Sequence, residues 1–273
     1  MNIKIGLDGI SYDVLMPGYD ISIPLVFNGD QPNTYGVEKA KSGAYKSGGW
    51  VGDVREGGSC NFETLTMTPH CNGTHTECIG HITRSRIYLR DQLKETLFPC
   101  MVVSVEPLPA SGCGESYLPG LNPEDKVITR HALASAMPSV SESFRQALVV
   151  RTRPNPTSKK NRDYMQEAPA FFTLDAMKFL VEFGVNHLLT DLPSVDRLFD
   201  EGLLSTHHVF WGLPHQGHDP VEGSRVDATI TEMVFVPDHV EDGPYLLNLQ
   251  TAPFMADAAP SRPFLFPLKN IPS

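Results

Sequence analysis

The sequence predicts an α/β fold, a single domain built on a mixed central sheet. Three observations carry this. The first half of the chain reads mostly as strand, the second half alternates strand with helix, and 23 prolines and 22 glycines are spread throughout, as many short elements joined by turns require. A chain of 273 residues, 41% hydrophobic and 20% charged, can fill one sizeable core, and residues 1–273 are read as one domain.

Taken in order, extended and partly alternating patterns predict strands at Ile3–Leu7, 20–27 and 59–66, with Gly, Asn, Asp and Pro between them. Residues 35–49, rich in Gly and Ser, read as a loop. Apolar runs at 101–105 and 147–151 suit buried strands, and between them 129–137 and 140–147 read as helical. The clearest helix spans 173–183. Thr173 can accept a backbone N–H at its start, Gly184 can end it in a left-handed turn, and Leu174, Met177, Phe179, Leu180 and Phe183 form its buried side. A strand at 185–190 follows, then a short helix over 194–204 and strands at 228–236 and 245–249.

The net charge of −10 and a pI near 5.4 speak against a nucleic-acid partner, which calls for a basic face. The one dense basic stretch, 153–162, carries Pro, Asn and Ser and reads as a solvated loop. No apolar run approaches the length of a membrane helix, and MNIKIGLDGISYDV has no basic region followed by an apolar core. A cytoplasmic location is the default expectation, with neither membrane nor nucleic acid as partner. Five cysteines (Cys60, Cys71, Cys78, Cys100 and Cys113) without a CxxC pair suggest neither a disulfide framework nor a zinc ribbon.

Chemistry concentrates in PHCNGTHTECIGH, residues 69–81. Read as extended chain, Cys71, Gly73, His75, Glu77, Ile79 and His81 share one face, and His70, Asn72, Thr74, Thr76 and Cys78 the other. The first face offers a thiol, two imidazoles and a carboxylate, each a metal ligand when deprotonated. Spacing alone leaves two alternatives open, a metal or catalytic site and a hydrogen-bonded polar loop. Further ligands must come from elsewhere. His207 and His208 lie in tandem, and on a strand only one of them points into a given site. Glu232 sits in the apolar run TITEMVFV, where it either faces outward or is paired or coordinated. His215 and His218, in PHQGHD, read as a surface loop. A thiol enzyme using Cys71 or Cys78 beside His75 or His81 is a further alternative, which requires a neighbouring base or positive charge.

Gly73-Thr74-His75-Thr76-Glu77-Cys78-Ile79-Gly80-His81 resembles, with substitutions, the signature His-x-Gly-Thr-His-x-Asp-x-Pro-x-His of the cyclase or kynurenine formamidase-like metal-dependent hydrolases. The resemblance continues in order through Asp20-Ile21-Ser22-Ile23-Pro24-Leu25, the helix from Thr173 to Gly184, the turn Asp191-Leu-Pro-Ser-Val-Asp196, and then Thr206-His207-His208 and Glu232. It implies a swivelling β/α/β domain, assembled as a homodimer or homotetramer. It also implies hydrolysis of a small-molecule amide, of the N-formyl arylamine or cyclic amide or imide type, using one or two divalent ions, zinc or manganese. By position, His75 and Glu77 resemble the family's ligands, His207 and Glu232 complete a second metal position, and His81 is the acid–base residue. Cys71 stands where the family has its first histidine and, as a thiolate, favours zinc; a bulge that brings in His70 is the alternative. Glu77 replaces an aspartate, which lengthens the arm by roughly 1.5 Å. Gln31-Pro32-Asn33-Thr34-Tyr35-Gly36 sits where the family has a Trp-Pro-Gly element, so a different substrate pocket is expected. A protein that keeps this fold and binds a small molecule without hydrolysing it is the alternative function.

Overall fold

Four parallel strands, Leu97–Val105, Ala147–Thr152, His187–Thr190 and Thr229–Glu232, run side by side in that order through the middle of the molecule. They belong to a computed structural model that describes residues 3–271. His75–Cys78 adds antiparallel to Thr229–Glu232, and Ala258–Pro260 closes that edge. On the other side Gly243–Asn248, Phe264–Ile271, Ile10–Val14 and Ile3–Leu7 continue antiparallel, and Tyr19–Asp20 pairs with Phe264–Ile271, which makes an eleven-stranded mixed sheet.

Period-two alternation divides the central strands between two cores. Met101, Val103, Leu148, Val150, Leu188 and Ile230 pack under the helices with Met177, Leu180, Phe210 and Trp211. Cys100, Val102, Ala147, Val149 and Leu189 face the opposite side, against Ile21, Leu247 and Leu265. The main helix, Leu174–Phe183, has the expected ends. Thr173 Oγ1 accepts from the Ala176 N–H, and Gly184, at φ 99°, returns its N–H to Leu180 and Val181.

Several elements depart from expectation, each for a local reason. Of 20–27 only Asp20 is strand, as the end of Tyr19–Asp20, because Asp20 Oδ1 takes both the Ser22 N–H and its hydroxyl and turns the chain, and Pro24 has no N–H to offer. Of 59–66 only Glu63–Thr66 pairs, with Lys41–Ala44 inside the expected 35–49 loop; Lys46–Ser47 and Trp50–Val51 form a second small hairpin. Residues 140–147 hold one 3-10 turn, Glu142–Arg145. The run 228–236 stops pairing at Glu232, where Met233 adopts φ 54° and directs its N–H to the Leu192 carbonyl. No helix forms over 194–204; the short helix is Ser205–Trp211, which begins after Leu204 at φ 44°. The basic stretch is not wholly solvated either. Lys159 is buried and donates to Asp191 (2.8 Å) and to the Thr152 carbonyl (2.8 Å), which ties the stretch to the C-terminal ends of two central strands.

Candidate metal centre

The site lies at the C-terminal ends of the parallel strands, and register builds most of it. Antiparallel pairing sets Glu232 directly opposite His75, and Glu77 follows two positions along on the same face. Thr76 and Cys78 point the other way, Thr76 to the Thr231 hydroxyl (2.8 Å) and Cys78 to the Ile87 carbonyl. His207 arrives from the Ser205–Trp211 helix. Asp196 fixes it by accepting from the Thr206 and His207 N–H groups (2.8 and 3.1 Å), from His207 Nδ1 (2.6 Å) and from the Tyr117 hydroxyl (2.8 Å). The same turn holds Glu232, whose Oε1 accepts from the Val195 N–H (2.9 Å).

The reading of 69–81 as continuous strand is corrected. Pro69–Asn72 is a helical turn, started by a proline that needs no N–H there and closed by Asn72 Oδ1 on the Thr68 N–H. The strand begins only at His75. His70, expected to face away, therefore enters the cluster, with Nδ1 3.0 Å from Glu77 Oε2. Two groups of ligand atoms share Glu77: His75 with Glu232, and His70 with His81. Cys71, expected as a stand-in ligand, belongs to neither. His208 turns away, between the Leu204 and Gly217 carbonyls, and His218 bonds the Ile82 carbonyl.

Three imidazoles are arranged alike. His207 Nδ1 donates to Asp196, His70 Nε2 to Asp257 Oδ2 (2.8 Å), and His75 Nδ1 to the Gly73 carbonyl (2.9 Å). With the rear nitrogen pinned as donor, each front nitrogen of a neutral ring carries a lone pair. These face carboxylates: His207 Nε2 lies 3.1 Å from Glu77 Oε1, His70 Nδ1 3.0 Å from Glu77 Oε2, and His75 Nε2 3.4 Å from Glu232 Oε2. Lone pair against lone pair at these distances needs a proton or a cation between them. Among the described residues, His75 Nε2 and Glu77 Oε2 are buried without a hydrogen-bond partner, an arrangement that a shared cation resolves. The donor set of imidazoles and carboxylates fits a divalent first-row ion.

Electrostatics point the same way. Burial disfavours the charged form of Glu77, but His81, His207 and His70 outweigh it and hold the carboxyl well below its usual range. Burial likewise opposes protonation of His70, yet its bond to Asp257 and the facing Glu77 carboxylate lift it to about 10. His207 is raised well above an ordinary histidine by Asp196 and Glu77 despite complete burial. The thiols behave oppositely. Burial, then the charge of Glu232, pushes Cys71 up to about 11, and burial pushes Cys78 up to about 12. Cys78 gives its thiol to the Ile87 carbonyl and Cys71 joins neither group of converging ligand atoms, so among the described residues neither thiol is paired with a base, and the thiol-enzyme alternative is set aside.

His81 ends the 3-10 turn Ile79–His81, with Nδ1 3.7 Å from Glu77 Oε2 and 3.6 Å from Asp257 Oδ2, and its side chain is 27% exposed. Sequence reasoning gave no role to Asp257 or Asp196. Asp257 is brought in by the edge strand, where Ala258 pairs with Glu77 and the Asp257 carbonyl accepts from the Cys78 N–H. Nothing local in FMADAAP signals this; Asp196 ends the turn 191–196, which is part of the family resemblance.

Comparison with known proteins agrees with this architecture. A family model described as putative cyclase matches residues 19–197. A kynurenine formamidase of Bacillus cereus is 28% identical over 256 residues, covering 91% of this chain and 97% of the relative. Another, of Bacillus cytotoxicus, is 27% identical with the same coverage. Among solved structures, isatin hydrolase A from Labrenzia aggregata has the same fold, with a TM-score of 0.61 at 13% identity over 92% of this chain and 93% of that one. The family match spans the Asp20 strand, the 69–81 segment, the main helix and the Asp196 turn, and the chain belongs to the cyclase family.

Proposed function

We propose that this protein is a metal-dependent hydrolase that cleaves a non-peptide amide bond in a small molecule, of the N-formyl arylamine or cyclic amide type. The observation that carries this reading is the Glu77 carboxylate set among front-facing imidazole nitrogens, with His75 Nε2 and Glu77 Oε2 left unpartnered in the interior. The names of its relatives, kynurenine formamidase and isatin hydrolase, supply the substrate class.

In this reading His75, Glu77, His207 and Glu232 hold the ion, and imidazole with carboxylate donors suits zinc, with manganese as the harder alternative. A bound divalent cation supplies acidity to water and polarises a carbonyl oxygen. The chain does the rest. Asp196 keeps His207 in one tautomer, and the Val195 N–H keeps Glu232 Oε1 occupied so that Oε2 faces His75. Nδ1 of His81 faces Glu77 and Asp257, which leaves Nε2 of this partly exposed ring as the atom to carry a proton to the leaving nitrogen.

Metal analysis of protein prepared without chelators, combined with hydrolysis assays on aryl formamides and isatin-like lactams, tests the proposal. Bound transition metal and metal-dependent turnover are expected. A metal-free protein that gains nothing on reconstitution would sink it in favour of a non-hydrolytic binding protein.

The proposal includes assembly as a homodimer or homotetramer. The 41–66 hairpin region exposes Trp50 (70%) and Leu65 (51%), apolar surface that a second copy can cover. Light scattering on the eluted protein checks this. Among the described residues no helix is long and apolar enough to cross a membrane, and the cytoplasm is the proposed location.

A further inference from the structure

The position of the family's first histidine carries a further assignment, which rests on the metal-hydrolase reading. We propose that His70, not Cys71, supplies the ligand there, and that Asp257 is the residue that positions it.

The argument is geometric. In a strand, residues 70 and 71 would point to opposite faces. In the Pro69–Asn72 turn they diverge by about 100°, and the turn delivers His70 to Glu77. His70 Nδ1 is 3.0 Å from Glu77 Oε2, and the His70 ring lies 5.2 Å from that of His75 and 4.3 Å from that of His81. Its rear nitrogen, Nε2, donates to Asp257 Oδ2 at 2.8 Å. A carboxylate behind an imidazole fixes the tautomer, aims the opposite lone pair and raises its basicity, the arrangement found behind metal-ligating histidines. Here it leaves Nδ1 as the coordinating atom. Asp257 reaches this place from the far edge strand, 187 residues away in sequence, and its Cβ side packs over Gly80, where an added Cβ would come within 3.2 Å of it. Cys71 has no comparable support. Its thiol is buried near Glu232 and belongs to neither group of converging ligand atoms. His81 falls in the same group as His70 and Glu77, but no carboxylate pins its ring from behind and its nearest carboxylate oxygens lie at 3.6 and 3.7 Å, so it is assigned the proton and His70 the ion.

Cobalt(II) substitution of the full chain tests this without relying on turnover. Thiolate ligation to cobalt gives an intense near-ultraviolet charge-transfer band, which imidazole and carboxylate ligation lack. The expected wild-type spectrum has no such band, and Cys71→Ser changes neither the spectrum nor the cobalt affinity. His70→Ala weakens cobalt binding at least about tenfold, and Asp257→Asn weakens it about 10- to 100-fold, with Asp257→Glu recovering part of the loss. Circular dichroism of the apo variants controls for folding, and the wild-type spectrum needs no variant. A thiolate band that disappears in Cys71→Ser, or undiminished binding by both His70→Ala and Asp257→Asn, overturns the assignment while leaving a metal hydrolase. Wild-type protein that binds no cobalt overturns the hydrolase reading as well.

Discussion

Asp196 is completely buried and accepts from four donors, two of them at the start of the helix that bears His207. Its carboxyl is held below the usual range because the His207 bonds overcome the burial cost. Asp196→Ala leaves the Tyr117 hydroxyl, two N–H groups and a buried imidazole unpaired. Urea unfolding of this variant should show a loss of about 3–5 kcal/mol. His81 stands at the other end of the same chemistry. Its partly exposed ring borders Glu77 and the His70 ring but makes no hydrogen bond to either, so His81→Asn should lower kcat by roughly 10²- to 10⁴-fold while metal content, measured by elemental analysis, stays at the wild-type level. Parallel loss of metal and activity would make His81 a ligand instead.

At the scale of elements, caps and register decide what the site receives. The Leu174–Phe183 helix is fixed at both ends by residues of its own sequence. Thr173→Ala removes the hydroxyl that accepts from Ala176 and donates to Glu115, and should cost about 1 kcal/mol, within a range of about 0.5–2. Gly184→Ala forces a Cβ into φ 99° and should cost about 1 kcal/mol. Thermal unfolding measures both, and unchanged midpoints would show that packing alone holds this helix. The Pro69–Asn72 turn is the more consequential element. One helical turn before the His75–Cys78 strand exchanges the residues that parity had placed inside and outside.

Across the whole molecule, the two ends of the parallel strands do different work. The metal-ligand candidates gather at the C-terminal ends, whereas His187 begins its strand at the opposite end, buried beside Phe98 and bonded through Nδ1 to Thr229 Oγ1 (2.9 Å). Burial, reinforced by Arg225, holds His187 down at about 4, and Asp227 only partly offsets this. Above an unfolded pKa of about 6.5 both states are neutral, and the group adds no pH dependence. As pH falls from there towards 4, the unfolded chain takes up a proton that the folded chain refuses, so stability declines by up to about 1.4 kcal/mol per pH unit. His187→Gln should flatten this part of the stability–pH curve measured on metal-free protein. An unchanged slope would place the titration elsewhere.

The sequence by itself determined what depends on neighbours in the chain. The apolar runs at 101–105 and 147–151 could only be interior strands, Thr173 and Gly184 bounded their helix, and the alternation of His75 and Glu77 followed once that segment was extended. Tertiary structure decided everything that depends on convergence. His70 meets Asp257 across 187 residues, His207 meets Glu77 across 130, and Lys159 is drawn into the interior by Asp191. Propensity and period act over a few residues, so they fix the type of an element and the face of a side chain within it. Which faces meet is set by strand order and register. Only after Thr229–Glu232 is inserted between His187–Thr190 and His75–Cys78 does Glu232 stand opposite His75 and the four-residue turn at Pro69 aim His70 at Glu77.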